Sequence, residues 1–243
     1  MILNMKKILA LIVILSFTSC QSILLKIITA NKSIANNTKV LYNDKTDQKI
    51  VFFPMVHVGQ KDYYESAKKI IDTLRQNDYS FYYENIAIHP DAKLDSNEIE
   101  IYHKKTRKIL GYHPSLDSTN QSLPKILRKN NLMVQDYRFM GLKKGDHLLD
   151  LPKNQIIDSI EANYNEIKLT KCDLETPLNE DYNCESLRKY KWALTHEFRD
   201  QYIGERILEI KKNKIALIYG RMHWFFIYAD LRDAGFEIIK GKI

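Results

Sequence analysis

K-I-A-L-I-Y-G-R-M-H-W, residues 214–224, is the stretch on which the fold turns. The run 215–219 is short and continuously apolar, as in a strand covered on both faces. Gly220 lets the backbone turn. His223 follows three residues later, and W-F-F-I-Y-A-D-L, residues 224–231, reads as the start of a helix. His223 is therefore expected where a strand hands over to a helix, the edge at which open α/β sheets bind ligands. The construction recurs in K-I-V-F-F-P-M-V-H, residues 49–57. There the apolar run 50–53 meets Pro54, His57 stands three residues on, and a helical pattern covers 62–76.

After that helix, D-Y-S-F-Y-Y-E-N-I, residues 78–86, reads as a second strand ending at Glu84. Strand, helix, strand in this order favours a parallel right-handed crossover. The ends of the two strands then lie side by side, and His57 and Glu84 project from one sheet edge. A carboxylate after three aromatic residues is costly unless it is paired or solvated in a cleft.

The remaining pattern is coarser. Helices are expected over 96–110, 123–132 and 154–168. A short strand is expected at 132–135, and a turn leading into a helix at 145–152. Residues 186–212 carry one long helical pattern that includes His196 and Arg199, and 235–239 reads as a closing edge strand. The expected fold is α/β: a single domain with a central, mostly parallel sheet flanked by helices, and the site at the carboxyl edge of the strands.

At 243 residues the chain can bury one sizeable core, and one domain is the default. Its formal net charge of +7 is spread among interleaved acids. With no basic block or stripe, nucleic acid is not an expected partner. Lys6 and Lys7, the apolar run 8–14 and L-S-F-T-S-C, residues 15–20, read as a secretory signal. The last of these resembles a bacterial lipobox, with Phe17 in place of the usual aliphatic residue. The expected organisation is a signal peptide over 1–19, a tether over 20–47 lipidated at Cys20, and the folded domain over 48–243. An uncleaved anchor helix is the alternative, weakened by the polar residues in its middle. Either reading puts the body in the cell envelope, held to a membrane. Cys172 and Cys184 bracket a polar loop, and in an oxidising compartment they are expected to pair.

Two strand-ending x-x-x-H elements, an interposed strand-ending glutamate and an arginine in H-E-F-R-D-Q-Y-I-G-E-R-I resemble the TraB/GumN family. That family includes the Tiki proteins and lies in the broader erythromycin-esterase/ChaN-like superfamily. The resemblance spans about residues 49–239. The family's G-x-x-H motifs fall on residues 54–57 and 220–223, its glutamate on Glu84 and its helix arginine on Arg199. Pro54 departs from the first glycine, and Asp200 from the asparagine that usually follows the arginine.

The resemblance implies a hydrolase with His57, Glu84, Arg199 and His223 as catalytic residues. His57, Glu84 and His223 are the implied ligands of a divalent metal such as Mn, Co or Zn, which would lower the pKa of bound water. Alternatively Glu84 is the general base and Arg199 steadies an oxyanion. The expected substrate is a peptide or small molecule. ChaN-like relatives imply a second reading, a haem-binding lipoprotein without catalysis, with tyrosines as candidate iron ligands. A scaffold without chemistry is a third.

Overall fold

The structure is a computed structural model and describes residues 33–89, 91–112 and 132–239. Cys20, the signal segment and most of the expected 123–132 helix lie outside the described residues. Among the described residues, no helix is long and apolar enough to cross a membrane.

Strand β1 (Lys39–Asn43) turns back into β2 (Gln48–Met55), and β3 (Val58–Gln60) leads into α1 (Lys61–Gln76) and β4 (Ser80–Tyr83). Helix α2 (Ser96–Leu110) follows, then β5 (Leu132–Val134), β6 (His147–Leu148), α3 (Lys153–Asn163) and α4 (Lys171–Glu175). A helical run over 188–209 ends in α5 (Phe198–Glu209). Then come β7 (Lys214–Gly220), a 3-10 turn (Arg221–His223), α6 (Trp224–Asp233) and β8 (Glu237–Ile238). The main sheet has the order β6-β4-β7-β2-β1-β8. Its four strands from β6 to β2 are mutually parallel, while β1 runs antiparallel to both β2 and β8. This is a single α/β domain with a mixed, mostly parallel sheet flanked by helices.

The two apolar runs form the centre of that sheet because they are buried on both faces. From β2, Val51, Phe53 and Met55 pack under α1 with Tyr63, Tyr64, Ala67 and Ile71. Ile50 and Phe52 point to the other face, against Ile203 and Ile207 of α5 and Ile227 and Leu231 of α6. Period-two alternation thus feeds two cores from one strand. A third core joins α2, α3 and the helical run through Ile109, Ile156, Ile160 and Leu194. Helix α2 has sharp limits: an Asp95/Glu98 capping box opens it, and Gly111 at φ 79° closes it.

Four expectations are corrected. The strands β2 and β4 are not neighbours, because β7 lies between them. The crossover still brings their carboxyl ends to one edge, with the end of β7 in the middle. Pro54 does not end β2, which runs to Met55, and the register pairs Pro54 with Tyr219 and Met55 with Gly220. The two histidine elements are therefore one residue out of step, and only the second passes directly into a helix. The stretch read as tether contains β1, with Leu41 fully buried and Ile34 docked on Ser66 Oγ through its amide. Its Asn and Lys content masked K-V-L-Y-N, whose Val and Tyr favour strand. Helix α3 stops at Asn163, where the chain turns so that Glu161 accepts from the Ile167 amide.

Cys172 and Cys184 are bridged, as expected. The loop they close is docked on α2. The fully buried Arg107 guanidinium donates to the carbonyls of Asp173, Thr176 and Pro177, and Lys108 pairs with Asp173. Cys172→Ser is expected to cost about 3 kcal/mol, mainly through the freed unfolded chain. Urea unfolding of the variant, beside the reduced wild type, measures this.

Candidate functional site

Glu84 is the first residue after β4, and only 3% of it is exposed. A carboxylate at that depth must be compensated. Its Oε1 accepts the Gly220 amide at 2.8 Å, and its Oε2 pairs with His223 Nε2 at 2.8 Å and Arg199 Nη2 at 3.4 Å. Tyr137 donates its hydroxyl to the Glu84 carbonyl. Burial alone would raise the carboxyl pKa. The His223 hydrogen bond and charge, with Arg199 and His57 behind them, override it and hold the group down at about 2.

Arg199 reaches the site from the first turn of α5. Its Nε and Nη2 donate to the two oxygens of Asp150 at 2.9 and 2.7 Å, and Nη1 donates to the Thr195 carbonyl at 2.8 Å. Asp150 follows β6 and is buried at the same edge. Burial opposes the guanidinium charge, but Asp150 and Glu84 together hold its pKa above the usual arginine range. The expected long helix is not uniform. A 3-10 turn (Arg188–Tyr190) opens it and a π stretch (Ala193–Glu197) precedes α5. Such stretches gather at functional sites, and this one carries Thr195 and His196 into the network.

His223 ends the 3-10 turn after Gly220, and both of its ring nitrogens face carboxylates. Nε2 meets Glu84, and Nδ1 makes a short contact with Asp200. The other oxygen of Asp200 meets His196 Nδ1 at 3.2 Å. Burial pushes the imidazole toward neutrality, but hydrogen bonds to Asp200 and Glu84 win and raise its pKa to about 9. The buried network thus alternates in charge, from Asp150 through Arg199, Glu84 and His223 to Asp200. His57 stands at its mouth. Its side chain is 75% exposed, and Nε2 lies 4.0 Å from Glu84 Oε1. A methyl on Gly220 would lie 3.7 Å from His57 Nε2 and 3.6 Å from His223 Cδ2. The two rings are therefore no farther apart at those atoms than the sum of these distances.

No protein-family model, curated protein or solved structure matches this chain.

All four expected residues converge at this edge. Arg199 has four of its five N–H donors committed inside the network, two of them to Asp150 and one to Glu84. Arg221 is exposed on the 3-10 turn at this edge, with no ion-pair partner among the described residues. Burial pushes the Tyr63 phenol up, and the Arg221 charge acts against that. Asp150 and Tyr137 were not picked out as site residues, and His196 was noted only on the helical pattern that carries Arg199. Asp150 had a faint signal, a lone carboxylate inside L-L-D-L-P. Asp200, a departure from the resembled motif, is the partner that keeps His223 charged. Tyr63 and Tyr64 donate to the carbonyls of Pro54 and Val56 within the core, so they do not supply the phenolate that a haem iron would need.

The implied metal ligands are only partly free. His223 is committed at both nitrogens, and the oxygens of Glu84 accept from Gly220, His223 and Arg199. Among the described residues, the group whose ligand atoms all lie within 4.8 Å of one another is His196, Asp200 and His223. Two imidazoles and a carboxylate suit a divalent ion that takes nitrogen and oxygen ligands. These residues would hold it only with His223 deprotonated and one of its carboxylate contacts given up, and it would supply Lewis-acid polarisation when bound.

Two results are expected from this geometry. Gly220 has an ordinary backbone conformation, φ −54° and ψ 140°. In Gly220→Ala the new methyl would sit 3.1 Å from Glu84 Oε1. Turnover is expected to fall by about 10²-fold from displacement of the site, with a stability loss of about 1–3 kcal/mol, read by steady-state kinetics and urea unfolding. Thermal stability is expected to be highest between pH 4.5 and 6.5, the ordinary pKa values of the two partners. The pKa of His223 is raised, so its contribution is complete below 6.5 and is lost as pH rises through about 9. The pKa of Glu84 is depressed, so its contribution is complete above 4.5 and is lost as pH falls toward about 2. These limbs are the two ends of one ion pair. In a Tm-against-pH series, His223→Gln is expected to lack the alkaline limb.

Proposed function

We propose that this chain is a hydrolase of carboxylic esters or amides, the chemistry that the TraB/GumN resemblance implies. One observation carries the reading. His57, an exposed imidazole at the carboxyl edge of the sheet, faces a buried carboxylate that is fixed as an anion from three sides. Glu84, with its pKa held at about 2, is too weak a base to take a proton from water. It serves instead to orient His57 and to stabilise the imidazolium that forms there.

In this reading His57 takes a proton from a water as the water oxygen attacks the substrate carbonyl carbon. The tetrahedral oxyanion is met by Arg221. His57 then returns the proton to the leaving oxygen or nitrogen as the bond to carbon breaks. The buried ion network moves no atoms in this cycle and holds Glu84 and the turn after Gly220 in place.

The test is a panel of activated esters and short peptide amides, with and without a chelator, across about pH 5 to 9. Hydrolysis that requires His57 is the expected result. Absence of turnover on every ester and amide by well-folded protein, both in chelator and after loading with Mn, Co or Zn, contradicts the reading.

A further inference from the structure

A concave surface that includes Asp200 in its lining lies between the helical run 188–209 and the segment 226–234. It is a groove of about 720 Å³, within the range of small-molecule sites. Trp192 and Phe226 wall it, with ring centroids 6.0 Å apart, and both remain well exposed. Leu208 and Ala229 extend the apolar lining. Its charged lining is of one sign: Glu197, Asp200, Glu205, Asp230 and Asp233, with no lysine or arginine. In a chain of formal net charge +7 this is a local reversal.

Asp230 is the most telling of these groups. Its carboxylate lies over Gly204, where an added Cβ would come within 1.8 Å of Oδ2. Among the described residues it has neither a hydrogen-bond donor nor an ion-pair partner. Burial raises its pKa first, and the charges of Asp233, Glu205 and Asp200 add to the effect. The carboxylates are also spread out. Among the described residues, no three of the groove's carboxylates bring oxygens within 4.8 Å of one another. A compact metal ion therefore has no cage here, and a complementary cation must itself be extended. The lining residues from Glu197 to Leu208 span about 16 Å of helix at roughly 1.5 Å per residue.

We propose that this groove binds a linear alkylpolyammonium ion, with ammonium groups on Asp230 and Glu205 and methylenes along Trp192, Leu208 and Phe226. A lining that combines carboxylates with apolar side chains matches a ligand that combines ammonium and methylene segments, and an aromatic wall adds cation–π attraction. This site does not depend on the hydrolase reading.

The experiment is calorimetric titration of the full chain with spermidine, paralleled by tryptophan fluorescence. Saturable one-to-one binding is expected, with a change in Trp192 emission and affinity about tenfold weaker in Asp230→Asn and in Glu205→Gln. Both side chains are exposed, so wild-type Tm is expected in each variant. Non-saturable binding, or affinity unchanged in both variants, overturns the proposal. So does magnesium displacing spermidine at equal concentration, which would mean simple charge screening. A lysine tetrapeptide binding about tenfold tighter than spermidine would assign the groove to a basic peptide, and also overturns it.

Discussion

His57→Gln is expected to lower kcat/KM on the best ester or amide by about 10²–10⁴-fold while leaving the fold untouched. The side chain is three-quarters exposed, and its Nε2 lies 4.0 Å from Glu84 without a hydrogen bond among the described residues. The backbone carbonyl of residue 57, which accepts from the Gln135 amide, is retained. Glutamine keeps the polarity and removes the proton-transfer group. A surface change of this kind moves stability by less than about 0.5 kcal/mol. Kinetics and thermal unfolding on one preparation check both halves. Loss of activity together with loss of Tm would make His57 structural and remove it from the chemistry.

The largest expected stability effect is at the opposite end of the network. Arg199→Met is expected to cost about 3–5 kcal/mol, because it leaves the buried Asp150 carboxylate without a cation and strips Glu84 of one of its two nearest. Asp150 receives two parallel N–H bonds from this single guanidinium, at 2.9 and 2.7 Å. For that reason Arg199→Lys is not expected to restore the loss: an ammonium has no planar fork and cannot satisfy both oxygens and Thr195 together. Urea unfolding measures both variants. Asp150→Asn should relieve part of the deficit in the Arg199→Met background, since it removes the uncompensated charge.

Much of this architecture was legible in the chain because its signals are local. Residues 215–219 and 50–53 are continuous apolar runs, and such runs have few homes other than the middle of a sheet covered on both faces. The positions of His57, Glu84 and His223 followed from where those runs stop. What was not legible depends on pairing between distant residues. No pattern in 186–212 announces that its arginine is paired with two buried carboxylates, because Asp150 and Glu84 lie far away in sequence. The π stretch that carries His196 is equally silent, being a change in helix geometry without a change in apolar period. The partners of Arg199 and Asp200 were hidden for the same reason: spacing identifies candidates, whereas burial and partners decide what they do.

The central claim is that His57, Glu84, Arg199 and His223 form one site, with His223 held as a cation between Glu84 and Asp200. Nitrogen-15 NMR of the imidazole rings tests it without knowledge of the substrate. The seven histidines are assigned by single His→Gln variants. The account predicts that His223 is doubly protonated at pH 7.5 and titrates at about 9. It also predicts that Glu84→Gln shifts the signals of both His223 and His57. A neutral His223 at pH 7.5, or a Glu84→Gln spectrum in which the His57 signals stay where they were, would contradict it.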